Sequence, residues 1–183
     1  DKLRNLLLGY GFSEVYNSSF IAKGDSHSYE VENPISEDRR YLRTELASQL
    51  NENLKRNSKF FDDLRIFEIG KIFCDANEEL HLGLGMCLKK GEPFLELKGV
   101  VQHLLERSGL VDVFLKPEGE GLQIESDHQI LGIIKHGDKF SAFAEINLDK
   151  MLLLVEEEDE YRPIPKYPGI MRDLSLLLKE EKR

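Results

Sequence analysis

An α+β fold, with an antiparallel sheet covered by helices, follows from three observations on this chain. Runs alternating apolar and polar residues recur as strands, apolar stripes at helical spacing fall between them in no regular β-α-β order, and His136-Gly137-Asp138 forms a hairpin turn between two late strands.

Residues 1–10 place Leu3, Leu6 and Leu7 on one helical face and stop at Gly9 and Gly11, so a short first helix is expected. The stretches 14–20 (EVYNSSF) and 28–33 (SYEVEN) read as strands. The second is closed by Pro34, which lacks a backbone donor and forces Asn33 into extended backbone. Thr44 stands at an N-cap position, and Leu46, Leu50 and Leu54 repeat every four residues along a helix ending near Asn57. After polar Asp62-Asp63, Leu64, Ile66 and Ile72 alternate with Phe67, Ile69 and Phe73. This is a strand buried on both faces and broken at Gly70, and it implies a sizeable sheet.

From Glu79 to Leu88, Leu80, Leu82, Leu84, Met86 and Leu88 share one side, and Gly83, Gly85 and Cys87 the other. The small side leaves room for a close neighbour, for which the following helix is the expected occupant. That helix opens at Pro93 and carries Phe94, Leu97, Val101, Leu104 and Leu105 as far as Ser108-Gly109. Strand-like runs follow at 111–115, 129–135 and 140–146, then a short helix from Leu148 that dissolves into the acidic run 156–160. Prolines 163, 165 and 168 make a stiff linker. The main domain is therefore expected over 1–160, with 161–183 holding the linker and the first strand of another domain.

At 183 residues the chain can bury a real core. Its net charge of −9 argues against a general phosphate-binding surface, which needs clustered Lys and Arg. Cys74 and Cys87 have neither metal-ligand spacing nor the number for a disulfide framework, so the cytoplasm is the expected compartment. No apolar run approaches the roughly 20 residues that span a bilayer, and no membrane partner is expected. The start at Asp1 and the charged end at Arg183 read as a segment of a longer polypeptide.

Motifs of chemistry are sparse. His27, His81, His103, His128 and His136 are scattered without a second ligand at helical or hairpin spacing, and no Gly-rich phosphate loop or serine elbow is present. No metal, cofactor-binding or catalytic residue is expected within the chain. His103 reads either as a polar-face residue of its helix or as a general base. The densest basic cluster is Arg39, Arg40 and Arg43, flanked by Glu37, Asp38 and Glu45. Ion-paired struts at the start of the leucine helix, or a contact to a partner chain or tRNA, are both open readings.

At these residues the chain resembles the β subunit of bacterial-type phenylalanyl-tRNA synthetase, in its catalytic-like region. YGFSEVYNSSF is similar to the family's opening strand, NPISEDRRYLRTEL to its Asn-Pro…Leu-Arg-Thr segment, and LRIFEIGKIF to its Phe-Glu-Ile-Gly strand. Lys98-Gly99-Val100-Val101 resembles the start of its middle helix, and Tyr167-Pro168 with Arg172-Asp173-Leu174 the start of its ferredoxin-like anticodon-binding domain. The family's His-Pro-Gly segment is poorly kept, with Ser126-Asp127-His128-Gln129 in its place.

The resemblance implies a class II aminoacyl-tRNA synthetase-like sheet flanked by helices that performs no aminoacylation itself. In a class II site one arginine near the second signature motif grips the ATP α-phosphate, and another in the third motif holds the γ-phosphate. Here the loop 58–63 (SKFFDD) has Lys59 but no arginine, and Asp149-Lys150 stands where the third motif's arginine is expected. Arg65 and Lys150 are the weak nucleotide-binding candidates. The implied role is assembly: the domain would scaffold an α subunit that carries the ATP, Mg and phenylalanine sites, in a tetramer that charges tRNA(Phe). Arg39, Arg43, Leu46, Ala47, Leu50 and Leu54 are the interface candidates, although the leucine stripe could equally pack on the chain's own sheet. The rival readings are a degenerate paralogue that still activates an amino acid, and a free-standing interaction module.

Overall fold

The computed structural model describes residues 1–155 apart from Ala76, Val111 and Lys139. The acidic run 156–160 and the expected linker and strand of 161–183 lie outside the described residues. The first half contains α1 (Lys2–Gly9), β1 (Ser13–Glu14), β2 (Phe20–Ile21), β3 (Tyr41–Leu42), α2 (Ala47–Asn57), β4 (Asp63–Cys74) and β5 (Asn77–Leu88). The second contains α3 (Pro93–Arg107), β6 (Val113–Glu118), β7 (Gly121–Ser126), β8 (Gln129–His136), β9 (Ser141–Asn147) and α4 (Leu148–Leu154).

Seven strands form one sheet in the order β1-β4-β5-β9-β8-β7-β6, antiparallel except for the β1–β4 pair. Its axis is the long hairpin β4–β5, paired from Asp63↔Leu88 to Cys74↔Asn77 and closed by residues 75–76. On one face α1, α3 and α4 bring Leu7, Leu97, Val101, Leu104 and Met151 against Phe67, Leu82, Leu84, Met86 and Ile146. On the other, α2 is the one helix among the described residues, and it sets Leu46, Leu50 and Leu54 over Ile66, Ile72 and Cys87. Burial of each such leucine contributes about 1.5–3 kcal/mol.

Several expectations need correction. The neighbour that fills the space over Gly83 and Gly85 is α2, not the following helix: a Cβ on Gly83 would meet Leu50 Cδ1 at 2.5 Å. α3 packs instead on the leucine side of β5. Gly70 does not break β4, because its missing side chain makes room for the Arg43 guanidinium, 2.3 Å from where a Cβ would stand.

The stretch 14–20 is not one strand. Asn17 turns inward, and the carbonyls of Ser18 and Ser19 accept from the Gln49 side chain and the Arg43 N–H, so β1 and β2 go to different sheets. The stretch 28–33 contributes only an isolated bridge, Glu30↔Tyr41. Strand β7 is not among the expected strands, although Leu122 and Ile124 alternate with Gln123 and Glu125. It is fixed by pairing on both sides and by the Asp127-His128 turn, whose positive φ values of 46° and 59° suit a two-residue hairpin turn.

Candidate functional site

Among the described residues, buried Arg43, Glu68 and Glu145 lie between α2 and the sheet. Arg43, at the end of β3, is 3% exposed, and its Nη1 donates to Glu68 Oε1 at 2.7 Å and to Gln49 Oε1 at 2.9 Å, while Nε donates to the Lys71 carbonyl at 2.9 Å. The other oxygen of Glu68 accepts from Asn17 Nδ2 at 2.7 Å, and Asn17 in turn accepts from Asn53. One guanidinium thus joins β3, α2 and β4. Burying such a pair is costly, and the bonds to Gln49, the Lys71 carbonyl and Asn17 offset part of that cost.

Thr44 does not cap α2. Its hydroxyl donates to Asp25 at 2.8 Å, and the helix begins three residues later at Ala47. The first turn is satisfied from β9: Glu145 Oε2 accepts from the N–H groups of Leu46 and Ala47, both at 3.0 Å. The carboxylate also complements the positive end of the helix. His81 Nδ1 lies 2.8 Å from the other Glu145 oxygen, and Glu79 accepts from Asn147. No local spacing signals this arrangement, because its partners come from α2, β5 and β9.

The interface candidates now divide. Leu46, Leu50, Leu54, Ala47 and Arg43 are all buried within the chain itself, whereas Arg39 is exposed at the end of a short 3-10 turn, Glu37–Arg39. Arg40 pairs with Glu30 at 2.8 Å. Of the nucleotide candidates, Arg65 forks onto both oxygens of Asp63 and reaches Glu96 at 3.0 Å. Its guanidinium holds the Asp63 carboxyl below the ordinary range, and the Asp63 hydrogen bond raises the pKa of Arg65 itself. Lys150 lies in the first turn of α4 with its side chain exposed. His103 stands against Tyr10, with Nδ1 2.5 Å from the phenol oxygen, which ties α3 to the end of α1. Burial pushes up the thiols of Cys74 and Cys87, which makes both poor nucleophiles. The structure also brings His27 to the adjacent Cys74 and Asp75, from too far away in sequence for the three to be seen as a cluster.

A long antiparallel hairpin near one edge of a helix-flanked sheet resembles the class II aminoacyl-tRNA synthetase core in fold. Accordingly, pyrrolysyl-tRNA synthetase from Desulfitobacterium hafniense superposes with a TM-score of 0.71, covering 83% of this chain and 66% of that one. At 20% identity that likeness concerns the fold alone. The model of the phenylalanyl tRNA synthetase beta chain CLM domain matches residues 1–132, and the chain belongs to this family.

Curated relatives agree. The phenylalanine–tRNA ligase beta subunit of Fusobacterium nucleatum is 29% identical over 222 residues, covering 96% of this chain and 28% of the relative. That of Thermotoga maritima is 28% identical over 218 residues, covering 97% and 27%. The chain therefore spans little more than a quarter of the length of these relatives. The aligned 222 residues exceed the 183 of this chain, so the Fusobacterium relative carries stretches within the match that have no counterpart here.

Proposed function

We propose that this chain is a catalytically silent, class II-like domain of a phenylalanine–tRNA ligase β subunit, and that it scaffolds an α subunit that carries the ATP and phenylalanine sites in a cytoplasmic heterotetramer acting on tRNA(Phe). The reading rests most directly on Arg65. A phosphate grip needs a guanidinium whose fork is open, and this one is closed by Asp63 and Glu96. A triphosphate brought there would meet two carboxylates. The residues present do not fit ATP-Mg elsewhere along the hairpin either. Strand β4 ends at Cys74 and β5 begins at Asn77, a connection too short to fold over a nucleotide, and Arg43 is buried with its Nε and Nη1 engaged within the chain. No helix among the described residues is long and apolar enough to cross a membrane.

Pyrophosphate exchange with phenylalanine and ATP, together with calorimetry, tests the silent role. The chain alone is expected to give neither exchange nor heat of ATP binding, while the whole β subunit co-purifies with an α-type subunit and supports exchange. ATP binding at micromolar concentration, or exchange by the isolated chain that falls with Arg65→Ala, would overturn the proposal in favour of a residual amino-acid-activating enzyme. Failure of the whole β subunit to hold any α-type subunit would favour a free-standing module.

A further inference from the structure

We propose that His27, Cys74 and Asp75 form a zinc-binding site that clasps the tip of the β4–β5 hairpin to the loop before β3. The inference is independent of the synthetase reading. His27 lies in that loop, Cys74 is the last residue of β4, and Asp75 follows it in the turn. Their ligand atoms all lie within 4.8 Å of one another. His27 Nδ1 is 3.0 and 3.1 Å from the two Asp75 oxygens, and Cys74 Sγ is 3.7 Å from Asp75 Oδ2.

Those spacings carry the argument. Zinc bonds of about 2.0–2.3 Å in tetrahedral geometry place neighbouring ligand atoms roughly 3.3–3.7 Å apart. The Cys74–Asp75 spacing matches such an edge, the His27–Asp75 spacings are slightly short of one because these two groups are hydrogen-bonded to each other, and the three ligand atoms lie within 4.8 Å of one another, so an ion would exchange that hydrogen bond for two metal bonds. The donor types select the metal. Calcium and magnesium take shells of oxygen, whereas imidazole with thiolate and one carboxylate suits zinc. Three protein ligands leave a fourth position for water.

The surroundings favour a cation. The His27 and Asp75 side chains are 57% and 65% exposed, which gives an ion access. Both sides of the site are already positioned. The His27 backbone N–H donates to Asp25 Oδ1 at 2.8 Å, Asp25 accepts from Thr44 at 2.8 Å, and the Asp75 carboxylate is held toward the loop by His27 itself.

Cobalt(II) titration of the full chain, followed by zinc competition, tests the proposal. The expected result is one cobalt per chain with a sulfur-to-cobalt charge-transfer band that zinc displaces. The band should persist in Cys87→Ala and vanish in Cys74→Ser, with far-UV circular dichroism confirming that both variants fold. His27→Ala should weaken zinc binding by at least the roughly 10–100-fold that loss of even a supporting contact costs. Absence of the band at millimolar cobalt, its survival in Cys74→Ser, or unchanged zinc affinity in His27→Ala would overturn the site.

Discussion

Arg43 holds three segments with one guanidinium, and its removal leaves Glu68, itself wholly buried, without its charge partner. Arg43→Ala is expected to destabilise the fold by about 3–5 kcal/mol in urea unfolding. Gly70→Ala should also destabilise, since its Cβ would strike the guanidinium, and it should cost much less in the Arg43→Ala background. That double-mutant cycle separates steric contact from intrinsic strand propensity. The cluster Arg39, Arg40 and Arg43 was visible in the sequence as three neighbouring charges, and ion-paired struts were one reading of it. Their different fates were not visible, because Glu30, on which Arg40 closes, and Glu68, which Arg43 meets, are brought close only by folding. Asp63 adds a pH signature. Its pKa is lowered in the folded state, so its contribution is full above the ordinary carboxylate pKa and is lost as pH falls through the depressed folded value. Side-chain exposure of 56% limits the contribution to less than about 1 kcal/mol. Asp63→Asn should flatten the acid limb of a stability-against-pH curve and leave the neutral region shifted by no more than that.

At the scale of the element, helix α2 separates what periodicity can convey from what it cannot. The stripe Leu46, Leu50 and Leu54 reads directly as an apolar face, and the small side of β5 reads as a surface awaiting a close neighbour. That the two belong together could not be read, because both α2 and α3 carry a suitable stripe and a strand's small face does not choose between them. The cap was illegible for a different reason. N-cap signals are local, whereas Glu145 reaches the helix from a strand far along the chain. Replacing it should behave as a cap mutation. Glu145→Ala is expected to cost about 1–2 kcal/mol and to lower hydrogen-exchange protection in the first turn of α2 more than in α3, with Glu145→Gln less damaging because one oxygen can still accept.

Across the whole molecule, the two-faced pattern of β4, the leucine side of β5, the α3 stripe and the β8–β9 turn made the helix-covered antiparallel sheet readable. Strand β7 escaped because its apolar positions are few and its place depends on neighbours on either side. Surface function is the least legible level, since exposure is a property of the assembled fold. Ile35 is 90% exposed in the same loop as Arg39, while Leu50 is fully buried. If that loop meets an α subunit, Ile35→Asp with Arg39→Glu should leave the melting temperature of the chain unchanged and reduce co-purification, whereas Leu50→Asp should abolish folding. Both are read by thermal melts and pull-down with the whole β subunit. The reach of Glu145 also sets an order of events during synthesis. The first turn of α2 leaves the ribosome long before its acceptor, which is 99 residues further on. Until β9 emerges and pairs with β5, that turn has open donors and its leucines have only part of their sheet, so the nascent N-terminal half waits for the C-terminal strand.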